Sequence, residues 1–432
     1  MKKWRKKSLS YSIKEGVAFS VNSSLGKSYI APCAVALNAN NLEVGLLTSV
    51  PDLLATSSQL GTPKLMKKVS RKKIVTRSIL FEALMWLPIA LIAVFSQFKS
   101  VLLVAPLLVI IFYTIHSVLE SFPSPAWSSW LGDLVPAKIK GRFFGRRNEL
   151  MQLAGLVALL VAGILLDIFN GINALLGFAV LFLAAMVARL FGLYFISKQH
   201  EPKFKEEEKY YFTFSQFMRR APTNNFGRFT IYVTLMSLAV NIAAPFFAVY
   251  MLRDLKFSYI TFTIITISSA LSTILTMPLW GKFSDKHGNL KTLKLCGFSI
   301  PLIPILWMLS SNPVYLFTVE LFSGFVWAGF NLATNNYVYD CVTRQRMGIC
   351  FAYLNVLSGI GVFIGATAGG FLATNLNINF MPILLLIFFI SGALRILFSA
   401  IMLPKLREVR KVEPTKPLWY YMRGIVKRTP HH

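Results

Sequence analysis

Charged residues are scarce in this sequence, and acidic ones are the scarcest. Asp, Glu, Lys and Arg make up only 15% of the 432 residues, against roughly 25% in soluble domains. Hydrophobic residues make up 55% and lie in long runs. The shortage of charge argues against a soluble domain, and the apolar runs predict an all-α integral membrane protein.

Cysteines and catalytic motifs are equally rare. The four cysteines, Cys33, Cys296, Cys341 and Cys350, form no CxxC pair, so neither a disulfide framework nor a zinc site is indicated. The sequence contains no HExxH, GxSxG or phosphate-binding Walker loop, the motifs of metalloproteases, hydrolases and nucleotide-driven pumps. We therefore predict that the chain is not an enzyme and that it uses no cofactor and no metal.

Twelve apolar runs are long enough to cross a bilayer as helices, for which about 20 residues suffice. The first run is the most polar of them, since it contains Asn22 and Lys27. The predicted spans lie approximately at 14–37, 42–63, 78–98, 101–132, 149–168, 172–197, 227–252, 257–281, 291–310, 313–340, 348–374 and 379–404.

Positive charge is distributed unevenly among the loops. Of the 45 Lys and Arg residues, 39 lie in alternate loops and the two termini, and only Lys99, Arg253 and Lys256 lie in the opposite loops. By the positive-inside rule, this distribution places both termini in the cytoplasm. Topology and contact with anionic lipids thus account for the net charge of +27, and we predict no nucleic-acid partner.

One stretch of the chain occurs twice. Asp133-x-Val135-x5-Gly141-x2-Phe144-x3-Asn148 returns 207 residues later as Asp340-x-Val342-x5-Gly348-x2-Phe351-x3-Asn355, and Gly163 returns as Gly370. Parallel repeats of membrane spans are typical of two-bundle transporters. We therefore predict a cytoplasmic N-terminus at 1–13, a six-helix bundle at 14–197, a cytoplasmic linker at 198–226 containing a short interfacial helix, a second bundle at 227–404 and a cytoplasmic tail at 405–432.

Two parallel six-helix halves joined by a basic linker resemble the major facilitator superfamily, and one loop sharpens the resemblance. Residues 281–291 after the eighth span, GKFSDKHGNLK, are similar to that family's signature G-x-x-x-D-R/K-x-G-R/K. The resemblance implies a cytoplasmic gate, in which Gly281 lets helices approach and Gly288 permits a left-handed turn.

The same resemblance assigns partners to the charged residues of the gate. It implies that Asp285 contacts the start of the fifth helix near Gly141, and that Lys286 pairs with Asp340, which lies shortly before Gly348. The first-half copy of the loop has Leu65 in place of the acid. A first-half latch is therefore in doubt, although Arg71 is placed to pair with Asp133.

Charged side chains inside a span cost at least about 2.5–3.5 kcal/mol each and therefore suggest a function. Lys27 and Asp52 lie near the middle of the first and second spans, where they can neutralise each other. His116 and Glu120 are four residues apart on one face of the fourth helix. We predict that these four residues form a proton or substrate site.

Three interpretations of this site remain open. In the first, Asp52 or Glu120 takes up a proton, and Lys27 or protonated His116 modulates it. In the second, Lys27 binds an anionic group of the substrate. In the third, Lys27 and Asp52 form a static ion pair that fixes helix packing, and His116 is a hydrogen-bonded core histidine.

The second half carries fewer charges, and its contribution to the site is predicted to be polar or aromatic. Four residues complete the predicted substrate and ion site: Glu320, Asn241, Asn331 and Asn355. An apolar wall is assigned to Trp307, Phe325, Trp327 and Phe330. Arg189 and Arg395 occupy matching places in the sixth and twelfth helices. We interpret them as anchors at the cytoplasmic interface and not as coupling residues.

These features predict a secondary active transporter that works by alternating access and is coupled to protons or another cation. Its substrate is a small organic solute or an amphipathic compound, taken up or exported. A lipid flippase or a non-transporting sensor on the same fold is the alternative. We expect a monomer, in contact with membrane lipids, in the plasma membrane of a prokaryote.

Overall fold

The computed structural model describes residues 3–136, 139–202, 214–343, 346–376 and 381–410. These residues form twelve long helical runs, one for each predicted span. We label them α1 (3–36), α2 (Asn41–Ser58), α3 (Arg71–Phe95), α4 (Lys99–Leu134), α5 (Lys140–Asn170), α6 (Ala174–Ser197), α7 (Asn225–Asp254), α8 (Tyr259–His287), α9 (Asn289–Trp307), α10 (Pro313–Cys341), α11 (Met347–Asn375) and α12 (Ile383–Met402).

Ten of these helices, all except α1 and α2, are long and apolar enough to cross a membrane. Their outward side chains are apolar and exposed, as at Leu103, Leu275 and Phe371, which suits contact with lipid. Helix α1 begins at Lys3 and not near residue 14, so its first turns are basic, and its apolar part is interrupted by Asn22 and Lys27. Helix α5 likewise begins at Lys140, before the apolar run. Lys, Arg and Glu are good helix formers, so both helices continue beyond the apolar segment.

The helices form two six-helix halves, α1–α6 and α7–α12. We call the surface where α1 begins and α12 ends the terminal face, and the other end of the bundle the opposite face. A short helix at Phe214–Arg220 follows the first half in the chain and precedes the second, and its buried Phe217 packs on Phe226 and Tyr353. The charged linker segment 203–213 and the tail 411–432 lie outside the described residues.

Several helices depart locally from α-helical geometry, among them α1 and α4. Helix α1 contains a π-helical turn at Ser23–Lys27, and such turns are frequent at functional sites. Helix α4 is interrupted at Phe122 and Pro123, where the missing proline N–H and the ring prevent regular hydrogen bonding. The Thr62 hydroxyl donates to the Phe122 carbonyl, 2.5 Å away. This contact satisfies a backbone group at the interruption.

The two halves meet through glycines at equivalent positions of the repeat. A Cβ atom on Gly163 of α5 would lie within 3 Å of the Thr263 side chain of α8, and one on Gly370 of α11 would lie close to the Gly45 backbone of α2. Glycine is required at these points because the helices approach too closely for a side chain. Three other glycines of α11 pack on the α7 backbone within one half: Gly361, Gly365 and Gly369.

Substituting Gly45 with Ala is expected to open the contact between α2 and α11 at the opposite face. The added Cβ would lie 2.4 Å from the backbone oxygen of Ala366, and overpacking of this kind costs about 1–3 kcal/mol. Thiol labelling of Cys introduced at Asn41, which contacts Ala373 across this seam, should accelerate by about 5- to 150-fold, the factor that corresponds to that energy. Gly365→Ala crowds α7 within one half and should leave the labelling rate unchanged.

Candidate functional site

A cavity of about 770 Å³ lies between the two halves. Most of its lining comes from α1–α5, and Asn241, Pro245 and Val362 contribute from α7 and α11. Five hydrogen bonds join the halves in the described part of the chain, and all lie between the middle of the helices and the opposite face. The cavity extends toward the terminal face, where Trp127 and Arg147 line it.

Lys27 and Glu120 form an ion pair at the wall of this cavity. The Lys27 Nζ donates to both carboxylate oxygens of Glu120 at 2.9 Å. The π-helical turn of α1 positions the lysine, and the last turns of α4 before its interruption position the glutamate. The sequence-based pairing of Lys27 with Asp52 is therefore wrong for this structure, because the relative rotation of α1, α2 and α4 directs the ammonium to Glu120.

Asp52 lines the same cavity from α2, where the positive charge of Lys27 acts on its carboxylate without direct contact. No hydrogen bond or ion pair reaches its carboxylate from any residue that the structure describes. The side chain points toward the other half of the protein, since a Cβ on Gly359 of α11 would lie 3.6 Å from Asp52 Oδ2. Asp52 is thus an unpaired acid at the junction of the two halves.

A second ionic group lies beside the cavity and was not predicted. Arg189 forms a two-bonded pair with Glu82, with both nitrogen–oxygen distances at 2.8 Å, and also contacts Glu15 at 3.3 Å. Arg147 binds the other oxygen of Glu15 at 3.1 Å. All four residues are buried. Arg189 therefore holds the bundle together from inside, and its interpretation as an anchor at the interface is wrong.

His116 lies between these two ionic groups. Its ring is wholly buried, 4.4 Å from the Trp86 ring, and its Nε2 lies 3.9 Å from Glu82 Oε1. Neither ring nitrogen has a hydrogen-bond partner among the described residues. The expectation of a hydrogen-bonded core histidine is therefore not met.

The ligand atoms of Glu82, His116 and Glu120 lie within 4.8 Å of one another, a grouping that could hold a metal ion. Both carboxylates already accept hydrogen bonds from cations, Glu82 from Arg189 and Glu120 from Lys27. These two positive charges repel a metal ion at the same place. The arrangement therefore does not favour metal binding.

The second half contributes less to the cavity than the sequence suggested. Asn241 lines it, but Glu320, Asn331 and Asn355 do not, and the latter two are exposed. Glu320 instead accepts a hydrogen bond from Trp307 Nε1 at 3.1 Å inside the second half. The predicted aromatic wall is also absent from the lining. The aromatic side chains there are Phe19, Tyr113 and Trp127, all from the first half.

Arg395, the repeat counterpart of Arg189, is buried without a carboxylate partner in the described residues. Its guanidinium makes only long contacts to backbone oxygens, at 3.4 Å to Ile300 and 3.3 Å to Val240, and its Nε has no partner. With 2% of its surface exposed, it is not an interfacial anchor either. Among the described residues, the ionic organisation of the first half has no equivalent in the second.

The predicted gate residues lie at the terminal face and are separated from their expected partners. Asp285 is largely exposed and pairs with Arg410, and Asp340 accepts a hydrogen bond from Asn289 at 2.5 Å. Within the described residues, Asp285 does not contact the region of Gly141, nor does Lys286 pair with Asp340. A Cβ on Gly281 or on Gly141 would meet nothing within 4 Å. The predicted contacts are not made in this structure, because the terminal-face ends of the two halves are apart.

Three other gate residues remain. Asp133 forms a 2.6 Å contact with buried Arg71 within the first half, and Gly348 lies in the first turn of α11. Gly288 separates α8 from α9 with φ 91° and ψ 154°, a conformation that is essentially restricted to glycine.

Replacing Gly288 with Ala is expected to lower the free energy of unfolding by about 1–3 kcal/mol, the typical cost of a side chain in such a conformation. Denaturant titration of the purified protein would measure the loss. Gly281→Ala provides the control, because it adds a methyl group to a helix where nothing lies within 4 Å. A destabilisation by Gly281→Ala as large as that by Gly288→Ala would contradict the backbone explanation.

Comparison with known proteins places this architecture in a family. The family model of the Major Facilitator Superfamily matches residues 16–233 and 229–427. An uncharacterized MFS-type transporter of Methanocaldococcus jannaschii is 26% identical over 371 residues, which cover 82% of this chain and 89% of that protein.

Solved structures of transporters share the fold at low sequence identity. A variant of the nucleoside transporter NupG superposes with a TM-score of 0.72 at 14% identity, covering 93% of this chain and all of that one. A bacterial homologue of the iron transporter ferroportin, in an inward-facing state, gives 0.69 at 12% identity over 92% and 98%. The xylose transporter XylE of E. coli, in an inward open conformation, gives 0.68 at 11% over 94% and 97%.

Proposed function

Because the chain belongs to the Major Facilitator Superfamily, we propose that it is a secondary active transporter that moves a small organic solute or amphipathic compound by alternating access. The observation that carries the proposal is the cavity of about 770 Å³ between the halves, a size typical of small-molecule sites. We place both termini in the cytoplasm and the protein in a prokaryotic plasma membrane. In that orientation the described state faces inward.

We assign a proton as the coupling ion. Lys27 is the charged neighbour of two carboxylates, Glu120 and Asp52, and in this state it binds Glu120. A proton on Glu120 would remove the negative charge that holds the ammonium and let it turn to Asp52. Asp52 lies against Gly359 of the other half. A movement of Lys27 toward Asp52 would therefore change the charge at the contact between the two halves. A side chain with two discrete positions is the kind of element through which coupling acts.

Flux in proteoliposomes tests the proposal. The full-length protein would be reconstituted with a pH-sensitive dye inside, a pH gradient imposed, and sugars, amino acids, organic acids, nucleosides, peptides and amphipathic amines added in turn. A transported solute should accelerate decay of the gradient, and protein-free liposomes provide the control. Absence of any solute-dependent flux from folded protein would count against a carrier and favour the lipid flippase or the sensor.

A further inference from the structure

We propose that the transported solute carries a positively charged group and that Asp52 binds it. This inference rests on the proposed transport function, since it names a property of the solute. It starts from the pairing of charges in and beside the cavity wall and from the position of one carboxylate. Three carboxylates, of Glu15, Asp52 and Glu120, line the cavity.

Every cation at the cavity is already bound to a glutamate. Lys27 holds both oxygens of Glu120, while Arg147 and Arg189 share the two oxygens of Glu15, and Arg189 also binds Glu82. With buried Glu82 beside the cavity included, four carboxylates thus accompany three cations, and Asp52 is the one without a contact. A negative charge that is not paired attracts a cation.

The same contacts argue against an anionic solute at Lys27. Binding an anion there would break a two-bonded ion pair and would leave Glu120 unpaired in a cavity that already contains the unpaired Asp52. Removing one partner of a partly buried pair is costly because the remaining charge loses its compensation. The contacts therefore argue against the anionic substrate group at Lys27 that the sequence left open.

The surroundings of Asp52 suit an organic cation with an apolar body. Apolar residues line part of the same cavity, among them Pro51, Ala55, Pro245 and Val362. The carboxylate also lies against Gly359 of α11, so a group bound to Asp52 from α2 would touch both halves. A ligand can shift the balance between two conformations only if it interacts differently with each of them. Contact with both halves meets that requirement.

Two ions of matched shape and opposite charge test the inference: tetraphenylphosphonium and tetraphenylborate. Binding of each to the full-length protein in detergent would be measured by equilibrium dialysis. We expect wild-type protein to bind the phosphonium, Asp52→Asn to bind it at least about tenfold more weakly, which corresponds to about 1.4 kcal/mol, and Asp52→Glu to restore part of the affinity. Glu149→Gln removes an exposed acid of α5 and should bind as wild type does.

Three results would overturn the inference: a preference for tetraphenylborate, undiminished phosphonium binding by folded Asp52→Asn, or no binding of the phosphonium at all. Size-exclusion chromatography and melting of each variant establish that it is folded. Phosphonium uptake into proteoliposomes separates this inference from the proposed function. Binding that depends on Asp52 without uptake would refute the carrier alone, and uptake that is independent of Asp52 would refute the site alone.

Discussion

Replacing Glu120 with Gln is expected to abolish flux driven by a pH gradient while leaving the protein folded. The amide retains the shape of the side chain but neither takes up a proton nor carries the charge that holds Lys27 at 2.9 Å. The Lys27 side chain is one-third exposed in the cavity, so water can solvate the freed ammonium and the loss of stability should be small. Solute accumulation in proteoliposomes with and without an imposed pH gradient measures the effect.

Asp52→Asn should abolish gradient-driven flux as well. The substitution removes the carboxylate charge to which the Lys27 ammonium is proposed to turn when Glu120 is protonated. Glu149→Gln offers a matched acid-to-amide change outside the cavity and should transport normally. If Glu120→Gln and Asp52→Asn both accumulate solute at the wild-type rate, the coupling site has been assigned to the wrong residues.

Glu82→Gln is expected to lower the free energy of unfolding by about 3–5 kcal/mol, the usual cost of removing one partner from a buried ion pair. Glu82 is wholly buried and makes two 2.8 Å contacts with Arg189. The substitution leaves a buried guanidinium with Glu15 as its remaining carboxylate partner among the described residues. Denaturant unfolding of the purified protein in a mild detergent would measure the change.

Arg395 supplies the control for this experiment. Its guanidinium already lacks a carboxylate partner in the described part of the second half, so Arg395→Met should be neutral or stabilising. The double variant Glu82→Gln/Arg189→Met should recover part of the stability lost in Glu82→Gln, since it removes the uncompensated charge. A Glu82→Gln protein as stable as wild type would show that the Arg189 pair contributes little.

The helices and the family could be predicted from the sequence because both depend on patterns of residues that are close together in the chain. The number of spans follows from counting the apolar runs that are long enough to cross a bilayer. Each of the twelve predicted runs corresponds to one described helix. The repeat identified Gly163 and Gly370 as equivalent, and both lie where one half contacts the other. The turn at Gly288 follows from its loop motif, since glycine alone adopts that conformation readily.

The pairing of charges could not be predicted in the same way, because it depends on how each helix is rotated against its neighbours. Lys27 is near Asp52, yet it binds Glu120. Glu82 lies inside the third predicted span, and an acid in an apolar run was a signal that could have identified it. Glu15 and Arg147 were harder to find, since Glu15 lies at the edge of the first span and Arg147 lies before the fifth.

The glycine contacts between the halves have a mechanical consequence. Helices α2 and α11 lie against each other from Gly45 and Gly370 to Thr56 and Gly359, whereas the closest approach of α5 to α8 lies near the opposite face, at Gly163 and Thr263. The contact between α2 and α11 can therefore act as a hinge, whereas the contact between α5 and α8 lies on the side that moves. Rotation about this hinge separates the two halves at the terminal face. The entrance of the cavity then widens from α2 and α11 toward α5 and α8.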